Sequence, residues 1–437
     1  MAEIIILGAG LTGLSAAYHL EQLGIHDYQI FERERTIGGL CRTVQQDGFT
    51  FDYTGHLLHL NHPYFQDLIY NLLAPENFNT ITRRSYIYSQ NTYTKYPYQV
   101  NLFGLPTETI TACIQGYLER PKLKKTKNFY QWALKNFGAG ITKYFLAPYQ
   151  NKIFAYDIRK VSDSWTGRFV PQTSLQAMIN GAIADQPEIV QQIGYNANFI
   201  YPKSGGIFAW VEQLGNQIKQ PIQTNHSAKT IDLKNKIIAF NNGRTEKFKT
   251  LISTIPLDNL LNNLVESSQS NLKVLAPKLI CNSVTNFNLG INRPDLSDKH
   301  WVYFPELEYK FYRLGFPHNF TNLAAPANCS SLYGEFAHVN KSPAYVQASL
   351  KSSLKQVKQL LNIQEHEILT EKIIDIKHAY VIYNQWRDHN LPKILQTLAD
   401  QQLYSCGRYG AWKYSSMQEA ILDGKTVAEN IIYAASH

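Results

Sequence analysis

A short all-apolar run, Ile4 to Leu7, leads directly into Gly8-Ala9-Gly10-Leu11-Thr12-Gly13, and Leu14, Ala17 and Leu20 then recur at helical spacing up to Gly24. A second apolar run, Tyr28 to Phe31, closes on Glu32, 19 residues after Gly13. Strand, tight turn, helix and strand in this order describe a βαβ unit. Each glycine has its own physical job. Gly8 permits the turn, Gly10 lets a pyrophosphate approach the backbone, and Gly13 lets the helix pack against the strand. The helix start at Leu11 and Thr12 offers unpaired N–H groups and the positive end of its dipole to phosphates. Glu32 is placed to accept hydrogen bonds from ribose hydroxyls. The expected fold class is α/β, with a Rossmann-like dinucleotide-binding lobe.

The residues after Glu32 choose between dinucleotides. Arg33-Glu34-Arg35-Thr36-Ile37-Gly38-Gly39-Leu40-Cys41-Arg42-Thr43 resembles the extended flavoprotein motif, in which E-R-x-x-x-x-G-G-x-x-x-T follows the second strand. The resemblance implies FAD in a glutathione-reductase-like flavoprotein lobe. It places Arg33, Gly39 and Leu40 beside the cofactor and lets Arg42 reach phosphate.

Further along, residues 63 to 193 read as mostly helical, and Gly205-Gly206 opens a helix from Ile207 to Ile218. Strand-like runs follow at Thr230 to Leu233, Lys236 to Phe240 and Leu251 to Ile255. Leu279 to Asn292 and Trp301 to Phe316 alternate like sheet. Leu350 to Leu361 reads as helix, and Leu403 to Cys406 as a last buried strand before a C-terminal helix. These pieces predict a discontinuous cofactor lobe (1–60, 200–260 and 400–437), a mainly helical substrate lobe (61–199) and a sheet-containing substrate lobe (261–399).

Composition narrows the function. The net charge of +8 favours an anionic ligand, but no Lys/Arg block resembles a nucleic-acid arm, and Lys122 to Lys127 reads as a helix-linking loop. The five cysteines are scattered without metal-ligand spacing, which points to neither a disulfide framework nor a zinc site. No apolar run reaches the length that spans a bilayer, so a soluble cytoplasmic protein is expected. The 28 tyrosines suit a pocket in which rings stack and hydroxyls bond.

A series of segments then resembles the UDP-galactopyranose mutases and their amine-oxidase and protoporphyrinogen-oxidase relatives. Phe51-Asp52-Tyr53-Thr54-Gly55-His56 resembles the loop facing the flavin ring, which usually reads Gly-Gly-His in the mutases. Tyr96-Pro97-Tyr98-Gln99-Val100-Asn101 is similar to Y-P-x-Q-x-N, and Pro148 to Phe154 to the uridine-stacking segment, with Tyr149 retained and Phe154 in place of a tryptophan. Arg168 stands at the spacing of a mobile-loop arginine. Asn198 opens a stretch similar to N-F-x-F-P. Trp301-Val302-Tyr303-Phe304-Pro305 and Phe311-Tyr312-Arg313 match W-x-Y-F-P…F-Y-R, and Gly407 to Tyr414 matches G-R-x-G-x-W-K-Y.

The resemblance implies substrate contacts from Gln99, Tyr149, Phe154, Arg168, Asn198, Tyr303, Arg313, Tyr380 and Tyr414. His56, Arg168, Arg313 and Arg408 are the expected catalytic residues, and no metal is called for. Gly55, His56, Gly407, Arg408, Ser416 and Met417 are expected to line the flavin. The implied reaction is a pyranose–furanose isomerisation of a nucleotide sugar, with N5 of reduced FAD as nucleophile and a reductant such as NAD(P)H as a partner. Thr54, Phe154 and the run Ser415-Ser416-Met417, where the mutases carry an acidic or amide residue, depart from the pattern. An FAD-dependent oxidase or desaturase is the alternative, and a non-catalytic FAD-bound interaction protein a third.

Overall fold

The computed structural model describes residues 3–185, 197–264 and 272–435. β1 (Ile4–Leu7) and β2 (Tyr28–Phe31) run parallel, Ile4 opposite Tyr28 and Leu7 opposite Phe31, and α1 (Leu11–Gln22) connects them. The sheet they begin has five parallel strands, in the order Leu403–Ser405, Thr250–Ser253, β1, β2 and Ile222–Gln223. Every residue of β1 is buried, as expected for a central parallel strand covered on both faces. The strands come from chain segments hundreds of residues apart, so this layer closes only when the C-terminal part folds back. The helix Met417–Ala435 then lies against α1. A Cβ on Gly424 would stand 2.5 Å from both the Thr12 carbonyl oxygen and the Ser15 Cβ, so only glycine allows this approach. A three-stranded antiparallel sheet, Ala228–Asp232, Ile237–Phe240 and Thr245–Lys247, flanks the layer.

The second large layer is a seven-stranded sheet in the order Ile368–Ile376, Ser283–Ile291, Ser330–His338, Arg313–Gly315, Trp301–Tyr303, Ser85–Ser89 and Thr92–Lys95. Its pairings are antiparallel except that between Trp301–Tyr303 and Ser85–Ser89. The alternation expected from Trp301 to Phe316 is thus two three-residue strands separated by a loop. The helix Pro343–Leu360, longer than expected, packs on this sheet through Leu350 and Val357.

The stretch expected to be mostly helical differs more. Helices Pro63–Leu72, Thr107–Leu118, Phe129–Ile141, Ala147–Phe154 and Leu175–Ile183 are present. Strands Phe78–Thr82, Ser85–Ser89 and Thr92–Lys95 interrupt them. Two of these extend the seven-stranded sheet, and the third pairs with Asn198–Pro202. Tyrosine and threonine, both enriched in strands, dominate these segments, so local propensity agrees with the pairing that the helical reading overlooked. Residues 186–193 of that expectation lie outside the described residues. A π-helical turn, Thr142–Leu146, precedes Ala147–Phe154 and puts the Phe145 ring in a stack between Tyr98 and Tyr149. Among the described residues no helix is long and apolar enough to cross a membrane, and no cluster of side chains could hold a metal ion.

Candidate active site

The cradle at the end of β1 is built from backbone. Gly8 has φ +96°, and a Cβ on Gly13 would overlap the Gly8 carbonyl oxygen. Both glycines are therefore demanded by the fold itself. Gly10 is different. A Cβ there would meet only Gly39 Cα, at an ordinary 3.8 Å, so its own packing leaves the position open. The Gly38 N–H donates to the Ala9 carbonyl at 2.8 Å, which brings the Gly38–Gly39 turn alongside. The buried Glu32 accepts from the Ala9 N–H at 2.7 Å and from the Glu34 N–H at 2.9 Å. Leu11 and Thr12 open α1 beside this turn, and Thr12 packs so closely on Gly407 (φ +79°) that a Cβ there would be 2.5 Å from its hydroxyl. Leu40 is half-buried just beyond. Arg42 donates to the Gly39 carbonyl at 2.7 Å and covers the Tyr53 ring, whereas Arg33 is exposed and pairs with Glu34. A groove with open backbone at Gly10 and Gly39, a helix N-terminus and a fixed carboxylate fits a dinucleotide.

The loop from Asp52 to His56 enters next. Asp52 accepts from the Thr43 and Tyr201 hydroxyls, each at 2.6 Å, and from the Ile207 N–H at 3.1 Å. Burial nevertheless pushes its carboxyl up to about 6. Thr54 has φ +73°, and a Cβ on Gly55 would run into the Tyr333 hydroxyl. Burial, then the nearby Arg408 and Arg313 guanidiniums, push the His56 imidazole down to about 4, and its buried Nδ1 has no hydrogen-bond partner.

One row of the seven-stranded sheet supplies the charged centre of the pocket. Tyr303 is opposite Arg313, which is opposite Glu335. Directly opposed residues share a face of the sheet. The guanidinium Nη2 of Arg313 donates to both Glu335 oxygens, at 2.8 and 2.9 Å, while its buried Nε has no partner. The Tyr303 hydroxyl oxygen accepts from Trp301 Nε1 at 2.8 Å and Arg83 Nη2 at 3.2 Å, which leaves its own proton to be donated. Arg83 lies between the rings of Tyr96 and Trp301. Arg408 donates to the carbonyls of Ser415 and Ala379 and stands 5.6 Å from the Tyr380 ring centre and 5.1 Å from that of Tyr414. Tyr380 and Tyr414 stack with ring centres 6.1 Å apart, and Phe154 meets Tyr380 edge-on at 6.5 Å. Tyr149 meets Tyr303 edge-on at 5.3 Å.

Tyr149, Tyr303 and Arg313 thus form one group of neighbours and Phe154, Tyr380, Tyr414 and Arg408 another, while other expected residues stand apart. Gln99 is buried and spends its amide on the Pro171 carbonyl at 2.6 Å. Asn198 is exposed, and its carbonyl accepts from His59. Arg168 lies in the turn Gly167–Phe169, and its side chain is outside what the structure describes. Ser416 and Glu419 cap the helix Met417–Ala435, the Ser416 N–H donating to Glu419 at 2.7 Å. Sequence reasoning missed Arg83, Tyr333 and Glu335. A lone carboxylate within the apolar strand Ser330–His338 was the available signal for Glu335.

The sequence profile described as flavin containing amine oxidoreductase matches residues 11–432. The chain belongs to this family. Members of the flavin containing amine oxidoreductase family are flavin-dependent enzymes, and both mutases and oxidases share the fold. The structure of reduced UDP-galactopyranose mutase matches at TM-score 0.92 and 26% identity, over 100% of this chain and 95% of its own. The putative protoporphyrinogen oxidase from Exiguobacterium sp. 255-15 matches at TM-score 0.76 and 16% identity, over 99% of each chain. An engineered putrescine oxidase matches at TM-score 0.68 and 15% identity, also over 99% of each. The 4,4'-diapophytoene desaturase (4,4'-diaponeurosporene-forming) of Staphylococcus aureus (strain COL) is 44% identical over 50 residues, which span 11% of this chain and 10% of the desaturase.

Proposed function

We propose that this protein is an FAD-dependent nucleotide-sugar mutase of the UDP-galactopyranose mutase type. The observation that carries the reading is Arg313, a charge held within the pocket by Glu335 with a buried Nε left to bond. Glu335 offsets only one charge, so the Arg313 and Arg408 pair retains one positive charge to attract a diphosphate. Whole-length likeness to the mutase supports the same reading. In it, the cradle of Gly8, Gly10, Gly13 and Glu32 holds FAD, and Arg408 with the loop through His56 meets its ring. Reduced FAD, when bound, supplies a nucleophilic nitrogen toward the anomeric carbon of the sugar.

The residues of this chain do the rest. Arg313, Tyr303, Tyr380 and Tyr414 hold the nucleoside diphosphate and stabilise it as a leaving group, and a fixed diphosphate can be recaptured by the sugar. Neutral His56 adds no further cation and leaves an unprotonated nitrogen beside the ring site. Phe154 and Tyr149 provide faces for the base. The reaction is redox neutral overall, yet it needs the reduced cofactor, so a reductant such as NAD(P)H is a partner.

The test is anaerobic incubation of dithionite-reduced protein with UDP-galactofuranose and UDP-galactopyranose, followed by anion-exchange analysis. Isomerisation that requires reduced flavin is the expected result. Its absence, together with hydrogen peroxide formation from amines or porphyrinogens by the oxidised protein, would overturn the mutase reading in favour of an oxidase. Thr54 and the missing acidic or amide residue after Tyr414 are the features that favour that second reading.

A further inference from the structure

The helix Ala147–Phe154 presents Tyr149 and Phe154 to the pocket and stops abruptly at Ala155, whose φ is +48°. The last carbonyls of a helix have no partner within it. Here the Ile153 carbonyl accepts from Asn282 Nδ2 at 2.7 Å. Asn282 is fully buried and 129 residues away in sequence. The other end of its amide is also used, because the Tyr380 N–H donates to Asn282 Oδ1 at 2.8 Å. The backbone of Asn282 pairs with the same segment. Its N–H donates to the Tyr380 carbonyl and its carbonyl accepts from the Ala379 N–H, each at 3.0 Å.

Two consecutive N–H groups, of Ala379 and Tyr380, thus point at one residue. The pairing is bulged, and a bulge re-aims the side chain that follows it. Only a short side chain carrying both an acceptor and a donor satisfies the second N–H and the helix end together. An apolar residue of the same size would leave both part-buried groups without that partner. Asn282 therefore ties the backbone behind Phe154 to the backbone behind Tyr380, whose rings meet edge-on.

We propose that Asn282 is a positioning residue that fixes the edge-on contact of Phe154 with Tyr380, and through it the affinity for the nucleotide part of the substrate. The affinity half of this inference rests on the nucleotide-sugar reading of the pocket. Asn282→Leu removes both side-chain bonds, while Asn282→Asp keeps the acceptor for Tyr380 and loses the donor to Ile153.

The experiment measures UDP affinity, flavin content and amide hydrogen exchange in the full-length holoprotein and both variants. Asn282→Leu should bind UDP more than tenfold more weakly with flavin content unchanged. Exchange should rise over residues 150–155 and 379–382 in Asn282→Leu, and over 150–155 alone in Asn282→Asp. UDP affinity equal to wild type in both variants, or exchange unchanged in both segments, overturns the proposal. A wild-type protein that does not bind UDP, with exchange responding as expected, overturns the nucleotide reading while the tie between the two segments stands.

Discussion

Thr54 occupies a left-handed backbone conformation at φ +73° in the loop beside His56. A β-branched side chain is badly suited to that region, and the strain amounts to about 1–3 kcal/mol. The resemblance expects glycine at this position, and the φ value supplies the physical reason. Thr54→Gly should stabilise the protein by about 1 kcal/mol, read as a higher urea midpoint at constant slope; a lower midpoint would show that the threonine's own contacts outweigh its strain. The cradle glycines separate into two kinds by the same geometry. Gly13→Val should fail to fold, because its side chain collides with the Gly8 carbonyl. Gly10→Val should fold and purify without flavin, since the space it fills lies outside the protein's own packing. Yellow Gly10→Val protein would refute that distinction. Arg313 and Glu335 make a third residue-scale case. Arg313→Ala should lose more than tenfold in UDP affinity and about 3–5 kcal/mol of stability, since Glu335 is left buried and unpaired. Adding Glu335→Gln should recover most of the stability and none of the affinity; recovery of both would remove Arg313 from the binding site.

Among the elements, the pairing of α1 with Met417–Ala435 matters most for the cradle. It depends on Gly424, which no spacing rule singles out because a helical glycine ordinarily reads as a weak point. Gly424→Leu should push the C-terminal helix away from Thr12 and Ser15, lowering the melting temperature and the flavin retained after gel filtration together. Unchanged flavin at a lowered melting temperature would uncouple the helix contact from the cradle. The sheet row of Tyr303, Arg313 and Glu335 joins two short strands to a long one. Every residue of the two three-residue strands is paired, and only their end residues Tyr303 and Arg313, opposite each other, are less than fully buried.

For the whole molecule, buried histidines set the response to acid. Burial pushes His56, His59 and His300 each down to about 4, helped by Arg408 and Arg313 at His56, Arg83 at His59, and Arg84 and Arg83 at His300. Each stays neutral in the fold, whereas the unfolded chain takes up its protons near pH 6.5. Their contribution is complete above that pH and is lost as pH falls toward about 4. Asp52, raised to about 6, works in the opposite sense, because the folded chain keeps its proton after the unfolded chain has lost it. Burial also lowers His19, His318 and His338 and raises Asp423, so the histidines outnumber the carboxyls. The urea midpoint should therefore fall from pH 7 to pH 5, and the triple His→Gln variant at positions 56, 59 and 300 should show a smaller fall; an unchanged pH dependence in the variant would assign the acid sensitivity elsewhere.

The sequence by itself determined the start of the cradle, because β1, its turn and α1 are made by neighbours within a few residues and obey local rules of period and glycine spacing. It also marked most of the aromatic and arginine side chains of the pocket, since Tyr303, Arg313 and Arg408 stand in short segments with distinctive residue order. Strands Phe78–Thr82 and Ser85–Ser89 were not legible, because each has a partner more than a hundred residues away, whereas Thr92–Lys95 pairs locally with Ser85–Ser89 in a hairpin that the helical reading passed over. Glu335, Tyr333 and Asn282 were hidden because each acts on residues of other elements. Each matters through what it opposes: Arg313 for Glu335, Gly55 and Gly315 for Tyr333, and Ile153 and Tyr380 for Asn282. Tertiary structure decided those pairings, and with them the shape of the pocket, since a partner across a sheet is chosen by packing and burial rather than by adjacent residues.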